Sequence, residues 1–437
     1  MRYGSLRFGI VALSVVVSVI AVPRVFADVF TSSNYNIDAS VSGSFGGQTS
    51  STSYKMVSSG GESIIGNGAG GSYKIGQGYV AQLDKSLQLT VLPKGVLASF
   101  PFDENTAIRV YDSTPYGSDT NTTGTPTWVT GKLGNALSFN GSSQNVSFGN
   151  PAHYQITSGT VEAWVKTSVT TGRQAIANKD SNFYLLIDNN RLSMYDANTS
   201  TTCSEPTTGI ANGQWHHVAM TFQSGAASGS KLYKDGNLVQ SCTMTTVANT
   251  APFQVARSAA GEWLNGSLDE VRLFSRLFTA AEVKAEYNAQ STGASTGLSL
   301  NTLTPGASQT AEFDTIVQTD APGYDLSINQ DHDLQFGINT ISPVTGSIST
   351  PVTWTEGSTK GFGFTLYGTN ATAIPGKWGS GNAYAAVPNA SSSFYARSGY
   401  SGGGKDVLNL RFRSDVATTQ PSGFYTNMVT ITGTMTP

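Results

Sequence analysis

The stretch Thr160-Val161-Glu162-Ala163-Trp164-Val165-Lys166 sets small apolar residues on one face and larger polar or amphipathic ones on the other. A period of two is the signature of a strand, because successive strand side chains point to opposite faces. Trp215–Phe222 repeats the pattern, with His216 in parity with Val218, Met220 and Phe222. Lys231-Leu232-Tyr233 then runs into Asp235-Gly236, a dipeptide suited to a tight hairpin turn. Many short strands punctuated by turns, with one late helix, predict a β-sandwich. That helix opens at Thr279 with Glu282 three residues on, a capping box. Val283 and Tyr287, four apart, form the face expected to pack on the sandwich.

Both flanks read as β-structure too. Between Asp28 and about residue 90, Tyr35, Tyr54 and Tyr73 recur every 19 residues among glycine clusters, a spacing that suits a strand, a turn and a returning strand. A small antiparallel repeat module over 28–90 is expected, with a flexible, low-complexity stalk as the alternative. After a Ser/Thr/Gly linker near Ser291–Gly297, three alternating sets mark half-buried strands: Tyr324, Leu326 and Ile328; Phe362, Phe364 and Leu366; Leu408, Leu410 and Phe412. They predict a C-terminal β-sandwich over 298–437. The fold class is all-β throughout.

Residues 1–27 read as a secretory leader: Arg2 and Arg7, an uncharged run from Phe8 to Val22, then Val25-Phe26-Ala27 with small residues at the cleavage positions. The run is shorter than the ~20 apolar residues of a membrane-spanning helix, so no span is expected in the mature chain. No lipid-acceptor Cys follows it and no sorting-type tail closes the chain, so release, or non-covalent retention at a surface, is expected. Loss of Arg2, Arg7 and Arg24 takes the formal charge from −3 to −6. That sign argues against nucleic acid, whose binding rests on Lys and Arg neutralising phosphates. Cys203 and Cys242, the two cysteines of the chain, fit an oxidising compartment and one disulfide. No second Cys or His lies at ligand spacing from either, which disfavours a metal role.

Seven motifs fall in order between about residues 95 and 290: Phe100-Pro101-Phe102-Asp103-Glu104; Tyr111-Asp112-Ser113; Gly131 through Gly141; Val161-Glu162-Ala163-Trp164-Val165; Trp215-His216-His217-Val218-Ala219; Leu232 through Gly236; and Asn265 through Arg272. This series resembles the laminin-G-like branch of the concanavalin A-like lectin/glucanase superfamily. The closing Phe278–Val283 also looks like that family's terminal segment. The resemblance implies a jelly-roll of two curved antiparallel sheets that binds glycans or proteins through edge loops and its concave face. Glucanase relatives need two carboxylates ~5–9 Å apart, and their strand signature Glu-x-Asp-x-x-Glu is absent. Asp269-Glu270 comes nearest, but adjacent strand residues are expected on opposite faces. A non-catalytic module is therefore expected.

Asp269 shares strand parity with Val271 and Leu273, which would put a carboxylate on the apolar face. An unpaired buried charge is too costly to keep. Either a cation holds it, or backbone N–H groups and a basic side chain do. Related jelly-rolls carry a structural Ca²⁺, and Asp112, Asn140 and Asp269 with main-chain carbonyls would supply the oxygen ligands of such a site, if the first and last strands of the domain lie side by side. Trp263, before an Asn265-Gly266 turn, either stacks on a sugar ring or packs at the sheet edge. The histidines His153, His216, His217 and His332 fall into no Ser/His/Asp or zinc pattern. The expected protein is an exported binding or adhesion protein recognising a glycan, a surface glycoprotein or a polysaccharide. Its rival is a self-associating component of an envelope or appendage.

Overall fold

The structure, a computed structural model, describes residues 87–436 apart from 106–107, 371–373 and 400–403, and before residue 87 only the backbone of short strands. The expected cleavage after Ala27, and Tyr35 and Tyr54 of the repeat, lie outside the described residues. Six short strands between Phe30 and Gln77 pair in chain order into one antiparallel sheet.

The central unit is a jelly-roll of two eight-stranded sheets. One sheet is centred on Asn265–Phe274, which pairs with Ser158–Lys166 on one side and with Asn135–Asn140 and Val96–Phe100 on the other. His216–Gln223, Ser230–Lys234 and Asn237–Cys242 extend it. The second sheet runs through Asn145–Ser147, Phe253–Val255, Arg173–Lys179, Phe183–Asp188, Arg191–Asp196 and Thr201–Ser204. Alternation builds the core between them: Val161, Ala163, Val165, Val218 and Met220 from the first sheet meet Phe183, Leu185, Ile187, Leu192 and Phe253 from the second. Each large side chain buried this way stabilises by roughly 1.5–3 kcal/mol. The hairpin turn takes left-handed backbone at Asp235 (φ 51°) and Gly236 (φ 71°), as Asp-Gly predicts.

The helix Ala280–Ser291 covers the outer face of the first sheet. Thr279 and Glu282 form the expected capping box. Val283 is buried, and Tyr287 stacks on Trp164 with ring centroids 5.9 Å apart.

One expectation fails in this sheet. A bulge in the Asn265–Phe274 strand, with Glu270 at φ 49°, inserts an extra residue opposite Glu162–Trp164. Leu268, Val271 and Leu273 stay in the core. Asp269 instead pairs with Trp164, and Arg272 with Glu162, on the helix-covered face. The carboxylate of Asp269 is thus on the opposite face from the one simple parity assigns.

The C-terminal unit is a second sandwich. Gly361–Thr369, Asp406–Asp415, Gln309–Thr319 and Leu87–Pro93 make one of its sheets. The three alternating sets read from the sequence are all buried in its core. Leu87–Pro93 precedes the jelly-roll in sequence yet pairs with Gln309–Thr319, so the jelly-roll is inserted into this sandwich. In the opposing sheet, the backbone of Ile10–Val19 lies antiparallel to Thr296–Thr302 and parallel to Thr426–Thr436. Leu92, Val96, Phe274, Phe278, Val283 and Ile316 form an apolar cluster where the two units meet.

Candidate functional site

Alternation on the second sheet of the jelly-roll sends Tyr184 and Asp188 outward, since Phe183, Leu185 and Ile187 face the core. The same rule turns Tyr195 outward beside Tyr184, its register partner. The two rings meet edge-on, 5.4 Å apart at 70°. Arg173 lies across the neighbouring ring, its guanidinium carbon 4.9 Å from the Tyr195 centroid. Its Nε is 3.1 Å from Asp188 and its Nη1 3.4 Å from Glu262, and it donates to Thr202. The arginine is therefore fixed from four sides yet keeps 30% of its side chain exposed. Burial, with the nearby charges of Asp180 and Glu262, pushes the Tyr184 hydroxyl up to about 12. Asp180 is held by Asn178 (2.8 Å), Gln254 (2.7 Å) and the Ala259 N–H (3.1 Å). The result is a rigid face of aromatic rings and oriented polar groups.

A cleft of about 360 Å³ at the end of the first sheet is lined by Lys166, Thr167, Ser168, Val169, Asn265, Gly266 and Ser267. Gln174, which points away from the Arg173 side of its strand, closes the back of this cleft: its side-chain carbonyl accepts from the Asn265 N–H (3.2 Å) and its amide donates to the Val169 carbonyl (2.9 Å). Asn265-Gly266 is not the turn that its composition suggests; it opens the Asn265–Phe274 strand. The glycine is required there because a Cβ would fall 2.4 Å from the Lys166 carbonyl oxygen.

Residues 140–284 match the family model of the concanavalin A-like lectin/glucanases superfamily, laminin-G type. The central unit is a laminin-G-like jelly-roll domain. Among solved structures, the chain is similar to domain 4 of AbnA, an extracellular arabinanase of Geobacillus stearothermophilus, in complex with arabinotriose (24% identity, 44% of this chain and 98% of that one, TM-score 0.36). It is similar to the receptor-binding domain of botulinum neurotoxin type G (14% identity, 64% of each chain, TM-score 0.35). A third likeness is to the CBM40 module of the Ruminococcus gnavus IT-sialidase, bound to α2,3-sialyllactose (14% identity, 34% and 95%, TM-score 0.27). No curated protein sequence matches the chain.

The laminin-G-like domain does not gather the three residues expected around calcium. The Val96–Phe100 strand does lie beside Asn265–Phe274, as that site requires. Asp112, however, is spent on the Ser99, Thr114 and Ser118 N–H groups and the Thr114 hydroxyl, on the far side of Val96–Phe100. One Asp269 oxygen accepts from the Lys132 and Leu133 N–H groups (2.7 and 2.9 Å), while the other is buried without a donor. Asn140 faces Asn265 in register, four residues along from Asp269's position, or roughly 13 Å at strand rise. It is spent on the Ser142 and Ser143 turn. The donor set therefore does not fit one cation, and no chemistry is derived through it.

Trp263 of the laminin-G-like domain is half-buried, with Arg257 over its ring at 5.0 Å. Cys203 and Cys242 form the expected disulfide. His216 pairs with Asp235 (2.8 Å) in the hairpin turn.

Sequence reasoning missed the cluster beneath the helix. Glu162, His217, Glu270, Arg272 and Glu286 are all buried there. Arg272 contacts Glu270, Glu286 (3.3 Å) and Glu162 (3.7 Å), and His217 lies 3.6 Å from Glu162. Burial and the charge of Glu162 raise Glu286 well above the usual carboxylate range. Burial also raises Glu270, and both burial and Glu270 raise Asp269. The bulge breaks the alternation expected of Asp269 and Glu270, so the two carboxyls sense each other; both are buried. The polar face of Thr160–Lys166 was the available signal: polar residues on one face of a strand are enclosed when a helix that itself buries Glu286 and Gln290 lies across them.

Proposed function

We propose that this chain is an exported, non-catalytic protein whose laminin-G-like domain binds a glycan on the outer face of its second sheet. The leader-like residues 1–27 and the Cys203–Cys242 disulfide support export. The observation that carries the glycan reading is Arg173, set between the Tyr195 ring and the carboxylates of Asp188 and Glu262 and still part-exposed. Rings stack on the apolar faces of sugars, and fixed donors and acceptors read hydroxyl positions, so a rigid surface carrying both suits a saccharide. The wild-type chain and Tyr195→Ala, applied to an immobilised oligosaccharide panel, test it. Retention of one saccharide class by the wild type, weakened at least tenfold in the variant, is expected; no retention by the wild type overturns the reading.

Self-association is a second reading, and one observation favours it. Cleavage after Ala27 takes away Ile10–Val19 and opens the facing edges of Thr296–Thr302 and Thr426–Thr436. Open strand edges are templates for a strand from another chain. Sedimentation of a chain beginning at Asp28 decides: concentration-dependent oligomers are expected on this reading, and a persistent monomer sinks it.

A further inference from the structure

Arg257 stands in the loop that follows the Phe253–Val255 strand. Arg173 is matched by two carboxylates, whereas Arg257 forms no ion pair among the described residues. Its Nε is buried without an acceptor, and its guanidinium lies over Trp263 at 5.0 Å. The carboxylates close to it in the chain fold are engaged elsewhere. Glu262 takes Arg173 and the Ser258 hydroxyl (2.8 Å), and Asp180 takes Gln254, Asn178 and the Ala259 N–H.

The loop that presents this cation is built with care for its geometry. Ala256 adopts φ 63°, a left-handed conformation that a non-glycine residue keeps only where its surroundings enforce it. It is fully buried, donates to the Ile176 carbonyl (3.1 Å) and accepts from the Leu264 N–H (3.0 Å). Gly261, at φ 81°, closes the tip with a bond to the Ser258 carbonyl (3.0 Å). The chain thus turns sharply out of the Phe253–Val255 strand one residue before Arg257. The indole limits where the guanidinium can move.

We propose that Arg257, held over Trp263, recognises the carboxylate of an acidic glycan, such as a uronate-bearing oligosaccharide. The proposal rests on the glycan reading above and names its substrate class. A guanidinium offers forked donors at the spacing of two carboxylate oxygens, and a charge-assisted pair of this kind is stronger than a bond to a neutral hydroxyl. Trp263 acts here as the support of the arginine, one of its faces already covered, and Tyr195 and Tyr184 supply rings further along the same sheet.

The test is calorimetric titration of the whole chain with oligogalacturonate, with the neutral galacto-oligosaccharide of equal length, and with a short polyglutamate. Oligogalacturonate is expected to bind at least tenfold tighter than its neutral counterpart. Arg257→Met, which keeps the stem over the indole, is expected to erase that difference by weakening oligogalacturonate binding at least tenfold. Arg257→Lys, which keeps charge but not the fork, is expected to fall between. Equal binding of the two sugars, or an acid preference that survives in Arg257→Met, overturns this inference while the glycan reading stands. Binding of polyglutamate alone overturns both.

Discussion

Arg272 reaches across the seam between sheet and helix to within 3.3 Å of the Glu286 carboxylate, with both side chains buried. It is the one arginine among Glu162, Glu270 and Glu286. Removing a lone cation from buried carboxylates costs more than any single contact it makes, because the charges left behind lose their counter-ion. Arg272→Met is expected to destabilise the chain by about 3–5 kcal/mol. Chemical denaturation measures it, and a loss under ~1 kcal/mol shows that the cluster is neutral as folded.

The same cluster sets a pH dependence. Glu286 is raised from 4.5 to about 8 in the folded protein by burial and by Glu162. A carboxyl raised on folding favours the folded state fully below its unfolded value, and that favour is lost as pH climbs through the folded value. The cluster's contribution is therefore expected to decline between about pH 4.5 and pH 8. Melting temperature followed across that window checks this, and Glu286→Gln, which keeps the shape and removes the titration, is expected to flatten the slope. A slope unchanged in the variant assigns the effect elsewhere.

Much of this molecule is legible in its residues, and the exceptions share a cause. Alternation located the strands of both sandwiches, Asp-Gly its hairpin, and Thr279 with Glu282 the helix start. Parity failed at Asp269 because one bulged residue, Glu270, shifts every side chain before it to the other face. The insertion of the jelly-roll escaped notice because Leu87–Pro93 finds its partner more than 200 residues later, a pairing that no local pattern encodes. At the candidate site, Trp263 stood out as a single residue. The Arg173–Tyr195–Glu262 arrangement did not, since its members come from three separated segments brought together by strand register.

Cys203 and Cys242 join the edge strand of one sheet to the edge strand of the other, 39 residues apart in sequence. Reduction, or paired Cys→Ser replacement, is expected to cost roughly 3–4 kcal/mol through restored freedom of the unfolded chain. Thermal melts with and without reductant give the answer; coincident curves deny the bond a stabilising role.

Thr279→Ala removes the hydroxyl that accepts from the Glu282 N–H at the helix start. A loss of about 1 kcal/mol is expected. Because that helix roofs the charged cluster, amide exchange within Ala280–Ser291 should quicken before exchange in the second sheet does; equal acceleration of both contradicts a local role for the cap.

The jelly-roll departs from the sandwich after Pro93 and rejoins it at Thr296, so a single body holds both of its ends. Two covalent connections join the units, and Arg276 and Lys405 donate to the main-chain carbonyls of Lys94, Asp112 and Thr114 near the junction. A domain hung from one linker swivels and takes all the load on one strand. This one is fastened at both ends, which limits how far it can swivel about the body that holds it.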